Sequence, residues 1–445
     1  MLTGLIDGDA YMNTKTMTSM LALAVAAGVS VPAAAQDGAQ DQVVSVYERA
    51  RPDFSAPGAR SGSFIFNPTI DAGGRYNSNI FARRAGATAT NPGEIDDFIW
   101  AIKPGFSLTS DWNQNFFQFT ADADIARYTD NSREDYEDFF LNANGRIDIE
   151  RDMFFSWGVG YSDQHEDRGS PDTNGLQSEQ TTFDKFTANV GFTRDQSIAS
   201  IAVNADYESL SFSNPDLIGG GTLNNEDRDR ERFHGSVRLG YELDQYYEAF
   251  IQLDANRIEY DNSQADGGPQ RNSDGWEITG GAAFDLTGTS YGEFYVGYLK
   301  QNYDSNSLSN IDAFTYGASL LWNPSGLTSW RASVNRDVVE TVVADVDSAG
   351  GLAFASGILA TSFRLEMEHE LQRNFLVKAA AGYSKYDYEN TVREDDNYDA
   401  TFGAKYLLNR NFSLNADYTW DYRSATTQGQ DFKRHVFMVG LTAQW

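Results

Sequence analysis

The sequence has no cysteine, only four histidines and ten prolines in 445 residues, and far fewer basic than acidic side chains. Without cysteine the chain can form no disulfide, thiolate metal site, cysteine nucleophile or lipid anchor on sulfur. The 34 Lys and Arg against 64 Asp and Glu give a formal net charge of -30, which argues against nucleic acid as a partner. Long apolar runs are also scarce. With a mean hydropathy of -0.49, this excludes a membrane protein built of helices.

Aromatic residues and glycine are abundant, and apolar residues alternate with polar ones along most of the chain. The alternation is clear at residues 117–125, 141–149, 155–161, 398–406 and 412–418, and each stretch predicts a strand with one apolar face. No stretch keeps a helical apolar period for three turns. We count about 18 such segments of about 9–12 residues. Their approximate centres are residues 70, 102, 121, 144, 158, 188, 205, 238, 252, 281, 297, 318, 333, 363, 380, 403, 416 and 440.

The connections between these segments alternate in length. Short ones such as "ERDM" (150–153) and "LQRN" (371–374) fall between long polar ones such as "SNPDLIGGGTLNNEDRDR". Outer-membrane barrels show this parity, since their turns on one side are short and their loops on the other side are long. The sequence therefore predicts an all-β fold: a closed antiparallel transmembrane β-barrel of about 18 strands with short periplasmic turns and long acidic extracellular loops.

The N-terminus predicts export to the outer membrane. An apolar stretch and an A-x-A type site at residues 33–35 indicate a cleaved signal peptide within residues 1–35, and we expect Met12 to be the true start. Residues 36–62 are polar and predict an extended periplasmic leader. Residues 63–445 are assigned to the barrel.

The last strand, residues 437–445, alternates strictly and stops on Trp445. An open strand of this kind would be an adhesive edge. We therefore expect it to pair with the first strand, near residues 64–70, and so close the barrel. Its aromatic end resembles the signal that the barrel assembly machinery recognises. The other expected partners are outer-membrane lipid and lipopolysaccharide.

If the apolar faces meet lipid, the opposite faces line the lumen. A barrel of 16–18 strands is wide enough to hold water, so these charges would set which solutes enter. Acidic side chains predominate, which favours cations or neutral solutes over small anions, although such charges could also merely solvate the wall. The lumen-lining candidates are Lys103, Asp122, Asp124, Arg146, Asp148, Asp206, Arg238, Asp254, Glu277, Arg331, Arg364, Glu366, Glu368, Lys378, Asp399, Lys405, Asp417 and Asp421.

Aromatic residues near the short turns are placed to form an interfacial girdle. These girdle candidates are Trp112, Tyr246, Tyr247, Tyr291, Trp322, Trp330 and Trp445. The acidic runs 133–138 and 393–399 are expected in loops, where they could bind divalent cations bridging lipopolysaccharide or simply face water.

We expect no enzyme activity, cofactor or resident metal. His165 has acidic neighbours and His234 lies near Ser236, but no nucleophile motif and no phosphate-binding glycine loop accompanies them. The leading hypothesis is a porin-like channel that passes solutes or secreted polysaccharide. A structural or adhesive barrel acting through its loops is the alternative, an outer-membrane hydrolase is third, and a soluble propeller or sandwich also stays open.

A family resemblance supports the barrel. Residues 47–82, "YERARPDFSAPGARSGSFIFNPTIDAGGRYNSNIFA", resemble the N-terminal motif of the putative β-barrel porin 2 group of Gram-negative bacteria. The likeness lies in the "ER.RPDFSAPG", "GSFIFNP" and "YNSNIFA" stretches. It implies a porin-like barrel, and in some members an association with exopolysaccharide secretion beside a polysaccharide-export protein.

Overall fold

The computed structural model describes residues 43–445 apart from 87–92, 174, 176, 197, 263, 265, 266, 287 and 288. The expected signal peptide, the proposed start at Met12 and leader residues 36–42 lie outside the described residues. Within the described part no helix is long and apolar enough to span a bilayer. A single turn of 3₁₀ helix, Ser132–Glu134, occurs in one loop.

Eighteen long strands form one closed antiparallel sheet, and three short strands accompany it. The first short strand, β1, pairs with the beginning of β2, and β15 and β16 form a small hairpin in the loop after β14. The strands are β1 Ala59–Ser61, β2 Phe64–Asn77, β3 Asp97–Ser110, β4 Phe116–Tyr128, β5 Tyr136–Glu150, β6 Met153–His165, β7 Thr182–Gln196, β8 Ala199–Phe212, β9 Arg230–Asp244, β10 Tyr247–Tyr260, β11 Ser273–Leu286, β12 Ser290–Tyr303, β13 Ile311–Ser325, β14 Thr328–Val339, β15 Ala344–Val346, β16 Leu352–Phe354, β17 Ile358–Gln372, β18 Phe375–Tyr388, β19 Glu394–Leu407, β20 Phe412–Ala425 and β21 Phe432–Gln444.

The predicted fold class is confirmed, and each of the 18 predicted segment centres falls in a different long strand. The strands are longer than expected, with 12 to 15 residues instead of about 9–12. At a rise of about 3.3 Å per residue and a tilt of about 40°, 14 residues span roughly 35 Å, whereas the apolar band of an outer-membrane barrel is about 25 Å tall. The strand ends therefore continue beyond the hydrocarbon layer. Because their side chains there are polar, the apolar alternation does not extend to them and the predicted strands are too short.

The barrel closes between its first and last long strands, as the sequence predicts. β2 pairs with β21 from Asn77↔Val436 to Thr69↔Gln444, and the backbone N–H of Trp445 donates to Pro68 O at 3.2 Å. Gly73 lies opposite Gly440 at this junction. A Cβ atom on Gly73 would lie 2.4 Å from the carbonyl oxygen of Val439, so the close approach of the two strands requires glycine there.

Connections of two to five residues alternate with connections of five to 19 residues around the barrel. By the parity of outer-membrane barrels, the short turns face the periplasm and the long loops face outward. One local expectation is wrong: most of the acidic run 393–399 lies in β19, which begins at Glu394, and residues 136–138 of the other run begin β5. Some of the carboxylates in these two runs face the lumen. A strand that carries so many acidic residues has the composition of a loop, and the sequence pattern therefore predicts a loop.

Three small apolar clusters lie inside the extracellular end of the barrel. One contains Ile80, Ile99, Ala126 and Tyr136, and the other two lie beneath the loop that joins β14 to β17. Elsewhere most large apolar side chains face outward, although a few such as Phe154 and Phe250 lie on the inner face beneath Arg146 and Arg238. The wall is therefore stabilised mainly by its backbone ladders and by lipid on its outer face.

Candidate functional site

The two faces of the barrel wall differ in chemistry. Large apolar side chains on the outer face are well exposed, for example Val296 at 67% and Phe314 at 76%. The alternate positions carry the polar and charged side chains. The structure places all eighteen predicted lumen residues on this inner face, where each is buried or half-buried. Their role in selecting solutes remains a prediction.

Ion pairs neutralise the basic side chains of the inner face. Lys103 Nζ lies 2.7 Å from Asp124 and Arg146 Nε lies 2.6 Å from Asp148. Three further pairs of this kind are Arg238–Glu293 at 2.9 Å, Arg364–Asp399 at 3.1 Å and Lys378–Asp417 at 3.3 Å. Because each of these bases is matched by at least one acid and acids outnumber bases, the lumen keeps a negative excess.

Sequence reasoning missed Lys185 and Glu293, which also belong to this inner face. Lys185 forms a 2.6 Å ion pair with Glu208, and Glu293 faces Arg238. A signal was available, because Lys185 precedes the outward-facing Phe186 and Glu293 precedes the outward-facing Phe294, so parity alone assigns both to the lumen.

A loop crosses the extracellular end of the lumen. We call residues 166–173, which follow β6, the crossing loop. Near its origin Arg168, 7% exposed, donates from Nε to Glu134 at 2.9 Å and from its terminal nitrogen at 2.5 Å. Arg228 donates two hydrogen bonds of 2.6 and 3.0 Å to the carboxylate of Glu166. Burial alone would lower the pKa of Arg228, but the Glu166 and Asp172 carboxylates raise it above its ordinary value, so the arginine stays charged.

The same loop also reaches the far side of the barrel. Asp167 accepts two bonds from Arg434 of β21 at 3.0 and 3.2 Å, and Gly169 O accepts from Arg423 of β20 at 2.5 Å. Asp172 accepts from the hydroxyl of Thr341 at 2.5 Å. Thr341 follows β14, which is eight neighbours away from β6 in the ring of 18 strands. The crossing loop therefore spans nearly the whole diameter of the lumen.

The N-terminal segment lies inside the periplasmic end. We call residues 43–58 the mouth segment. Val46 is fully buried, and its backbone N–H donates to Ser329 Oγ at 2.8 Å. The Tyr47 N–H donates to Glu368 at 2.8 Å, and Arg331 donates to Glu48 at 2.8 Å. This corrects the expectation of an extended leader: its described part folds against the inner wall because its carbonyl, amide and carboxylate groups find partners there.

The mouth segment covers an arc of the periplasmic rim. It runs from β2 past Gln444, whose amide donates to Phe54 O at 3.2 Å, and reaches Ser329 on β14. β14 lies six neighbours from β2, which is one third of the ring. Burial would raise the pKa of Glu48, but Arg331 and the Ser45 N–H lower it below its ordinary value of 4.5. The carboxylate is therefore held ionised at neutral pH.

Most predicted girdle residues point away from the lumen. Trp112, Tyr246, Tyr247, Trp322 and Trp445 are 38–48% exposed, and Trp330 lies on the outer face opposite Trp322. The prediction for Tyr291 is wrong. Its position alternates with the outward-facing Phe294 and Val296, so its side chain faces the lumen near Arg238. Proximity to a turn was not enough to place it, because strand parity decides the face. An upper outer-face set, missed from the sequence, comprises Trp100, Trp276, Tyr298, Phe314, Tyr398 and Tyr422.

The two candidate catalytic histidines lie in acidic surroundings. His165 Nδ1 is 2.9 Å from Asp138, and its ring stacks on Tyr136 at 3.8 Å. His234 lies between Asp206 at 3.0 Å and Asp254 at 3.3 Å. Within the described chain neither histidine has a serine hydroxyl among its hydrogen-bond partners, and no group of three or more His, Asp or Glu is arranged to hold a metal ion.

The fold and the lumen together define a class: a porin-like β-barrel of the bacterial outer membrane, with an apolar outer face and a charged inner one. Within that class the family is also shown. The chain belongs to the family described as putative beta-barrel porin 2, whose model matches residues 51–445.

Solved structures with a similar fold are distant in sequence. The outer membrane protein OpdK from Pseudomonas aeruginosa is 10% identical with a TM-score of 0.45, and the match covers 85% of this chain and 98% of OpdK. OccAB4 from Acinetobacter baumannii is 11% identical with a TM-score of 0.44, covering 88% of this chain and 100% of that one. The siderophore receptor PirA from Pseudomonas aeruginosa is 9% identical with a TM-score of 0.42, covering 89% and 81%. No curated protein matches the chain.

Proposed function

We propose that this protein is an outer-membrane channel through which small hydrophilic solutes pass, cations and neutral molecules more readily than anions. The main support for this proposal is the inner face of the barrel, where basic side chains are paired with acidic ones and unmatched carboxylates remain. Water in an 18-strand lumen solvates these charges, so they can act on a passing ion. The signal peptide expected in residues 1–35 supports delivery to this membrane, with assembly through the C-terminal strand by the barrel assembly machinery.

Two constrictions limit the path in this proposal. The crossing loop narrows the extracellular end, and the mouth segment narrows the periplasmic rim. A solute must pass beside them or displace them, so the channel is selective rather than a wide general pore. The loops outside the barrel would contact lipopolysaccharide.

Conductance in planar bilayers tests this function. The purified protein should form stable channels, and a potassium chloride gradient across the bilayer should give a reversal potential of the sign expected for cations. Asp254→Asn and Glu277→Gln remove lumen charge and should reduce that potential. Asp312→Asn, on the outer face, is the matched control and should leave it unchanged. A folded barrel that carries no current would favour the structural or adhesive alternative instead.

Secretion of a polysaccharide is the second candidate, and its support is the family resemblance. The extracellular arginines do not favour an acidic polymer, because Arg168, Arg228 and Arg434 are already bonded to Glu134, Glu166 and Asp167. A neutral glycan, delivered with a polysaccharide-export protein, fits this charge pattern better. Loss of exopolysaccharide in a deletion strain, with unchanged uptake of small solutes, would establish this second function.

A further inference from the structure

The wall of the barrel is incomplete between β13 and β14. Their backbone ladder ends at Gly317↔Asn335, although β13 continues outward to Ile311 and β14 to Val339. Above that point β13 is paired with β12, and β14 is paired with β17. The hydroxyl of Thr315 donates to Arg336 O at 3.0 Å and so bridges the gap with a side chain. We call this gap, at the extracellular end of the two strands, the seam.

Apolar side chains close the seam from inside. Val338 and Leu359 alternate with inner-face residues, so regular pairing would point both outward. Instead they pack with inner-face side chains of β12 and β13, including Tyr303 and Ile311. A Cβ atom built on Gly357 would lie 2.9 Å from the Tyr303 hydroxyl, 3.1 Å from Ile311 and 3.3 Å from Val338, so these groups converge on one point. The ends of β14 and β17 thus tuck behind β13.

A closure of this kind differs physically from the rest of the wall. Backbone groups facing lipid must be paired, which is why barrel strands normally form continuous ladders. Parting a continuous ladder breaks a row of hydrogen bonds. Parting the seam separates apolar side chains, and an apolar ligand chain can replace their contacts at little cost. The seam is therefore the place where a lipid-like chain can enter the wall.

The side chain of Arg336 adds a preference for charge. It belongs to β14 at the end of the broken ladder. Its Nε atom is buried without a hydrogen-bond partner among the described residues, although the Glu389 carboxylate lies near enough to interact with the guanidinium electrostatically. A buried guanidinium donor without an acceptor is costly, and a carboxylate is the acceptor that satisfies it best. On the lipid side the edge of the seam carries Phe314, which is 76% exposed. A guanidinium beside an apolar slot that opens toward lipid matches an anionic amphiphile.

We propose that the seam binds a single-chain anionic amphiphile, specifically a long-chain carboxylate arriving from the outer leaflet. Its hydrocarbon chain lies in the cluster formed by Leu299, Tyr303, Ile311, Val338 and Leu359, and its carboxylate bonds to Arg336. This site goes beyond the axial channel proposed above, because a path for hydrophilic solutes needs no opening toward lipid.

Photolabelling of the protein in lipid nanodiscs tests the site. A long-chain carboxylate with a photoreactive tail should label peptides containing residues 299–316 and 336–359. Arg336→Gln should lower this labelling about tenfold, whereas Arg336→Lys should retain most of it. Arg127→Gln is the matched control, because Arg127 also lies at the outer rim but pairs with Asp135 and Glu137. The uncharged alcohol of equal chain length should label the parent as weakly as the carboxylate labels Arg336→Gln.

A disulfide lock gives a second, independent readout. The chain has no cysteine, so Ile311→Cys with Val338→Cys introduces one defined pair. Oxidation should abolish labelling and reduction should restore it, while bilayer conductance through the lumen stays unchanged. If the unsubstituted protein carried no current, the proposed channel would be refuted, but the amphiphile site would not be affected. Equal labelling of Arg336→Gln, labelling spread evenly over the lipid face, or displacement by anionic phospholipid in the nanodisc would overturn the carboxylate site.

Discussion

Replacing Arg434 by glutamine should release the crossing loop from the far wall of the barrel. Arg434 is 6% exposed, and its guanidinium donates to Asp421 at 3.0 Å and to Asp167 at 3.0 and 3.2 Å. It therefore joins the loop to β21 through a buried ion pair. Glutamine keeps a polar end but removes the charge and the forked donor geometry, which leaves two carboxylates facing each other.

Burial sets the magnitude of this effect. Removing one partner of a buried ion pair costs about 3–5 kcal/mol, because the charge left behind has no compensation. Even about 3 kcal/mol is roughly a hundredfold change in an equilibrium constant. The barrel itself is held by ladders that do not involve this side chain, so most of the loss should fall on the docked state of the loop. Arg434→Gln should therefore raise the undocked population of this part of the loop about a hundredfold, while Arg228, Arg423 and Thr341 still hold its neighbouring residues.

Single-channel recording measures the consequence. Arg434→Gln should give a larger and noisier conductance than the parent, and a heat-dependent shift on gels should show that the barrel still folds. Adding Asp167→Asn to Arg434→Gln removes one of the two carboxylates left without a positive partner. The double variant should therefore recover part of the conductance of the unsubstituted protein, since the two changes are coupled. Arg257→Gln, an outer-face control, should change nothing. A folded Arg434→Gln barrel with parental conductance would refute this reasoning.

Three further outcomes follow from the mouth segment and the closure. Glu48→Gln should raise the frequency of channel opening about fivefold, because its pair with Arg331 is partly solvated and contributes about 1 kcal/mol; unchanged gating would contradict a docked segment. The lowered pKa of Glu48 means that its contribution is complete above pH 4.5 and is lost as the pH falls through the lowered value, so acid should open the parent more than Glu48→Gln. Gly73→Val should lower the yield of folded barrel, because its Cβ would lie 2.4 Å from Val439 O, and a normal yield in the heat-shift assay would count against that contact.

Period-two alternation was enough to predict the barrel and its strand number. It succeeded because lipid imposes one rule on every strand, and each long strand obeys that rule separately. Tyr291 shows the limit of an argument from proximity to a turn, since its own strand parity points it inward. Strand ends were missed where carboxylates such as Asp395 and Asp399 pair inside the lumen.

The two constrictions could not be predicted from the sequence. The crossing loop reads as an ordinary polar connection, and its contacts with Thr341 and Arg434 join residues separated by more than 150 positions. The mouth segment has the composition of a leader, and only the packing of Val46 against Ser329 reveals that it is docked. Such pairings depend on which strands the closed ring brings together, and no local pattern encodes them.

The assignment of the two faces is tested most directly by labelling single cysteines on β10 in intact outer membranes. The chain has no native cysteine, so each position can be read alone. A water-soluble thiol reagent should modify cysteines at positions 252, 254 and 256, which line the lumen, and should spare those at 251, 253 and 255, which face lipid. Modification of both sets alike, or of the second set in preference, would contradict the account.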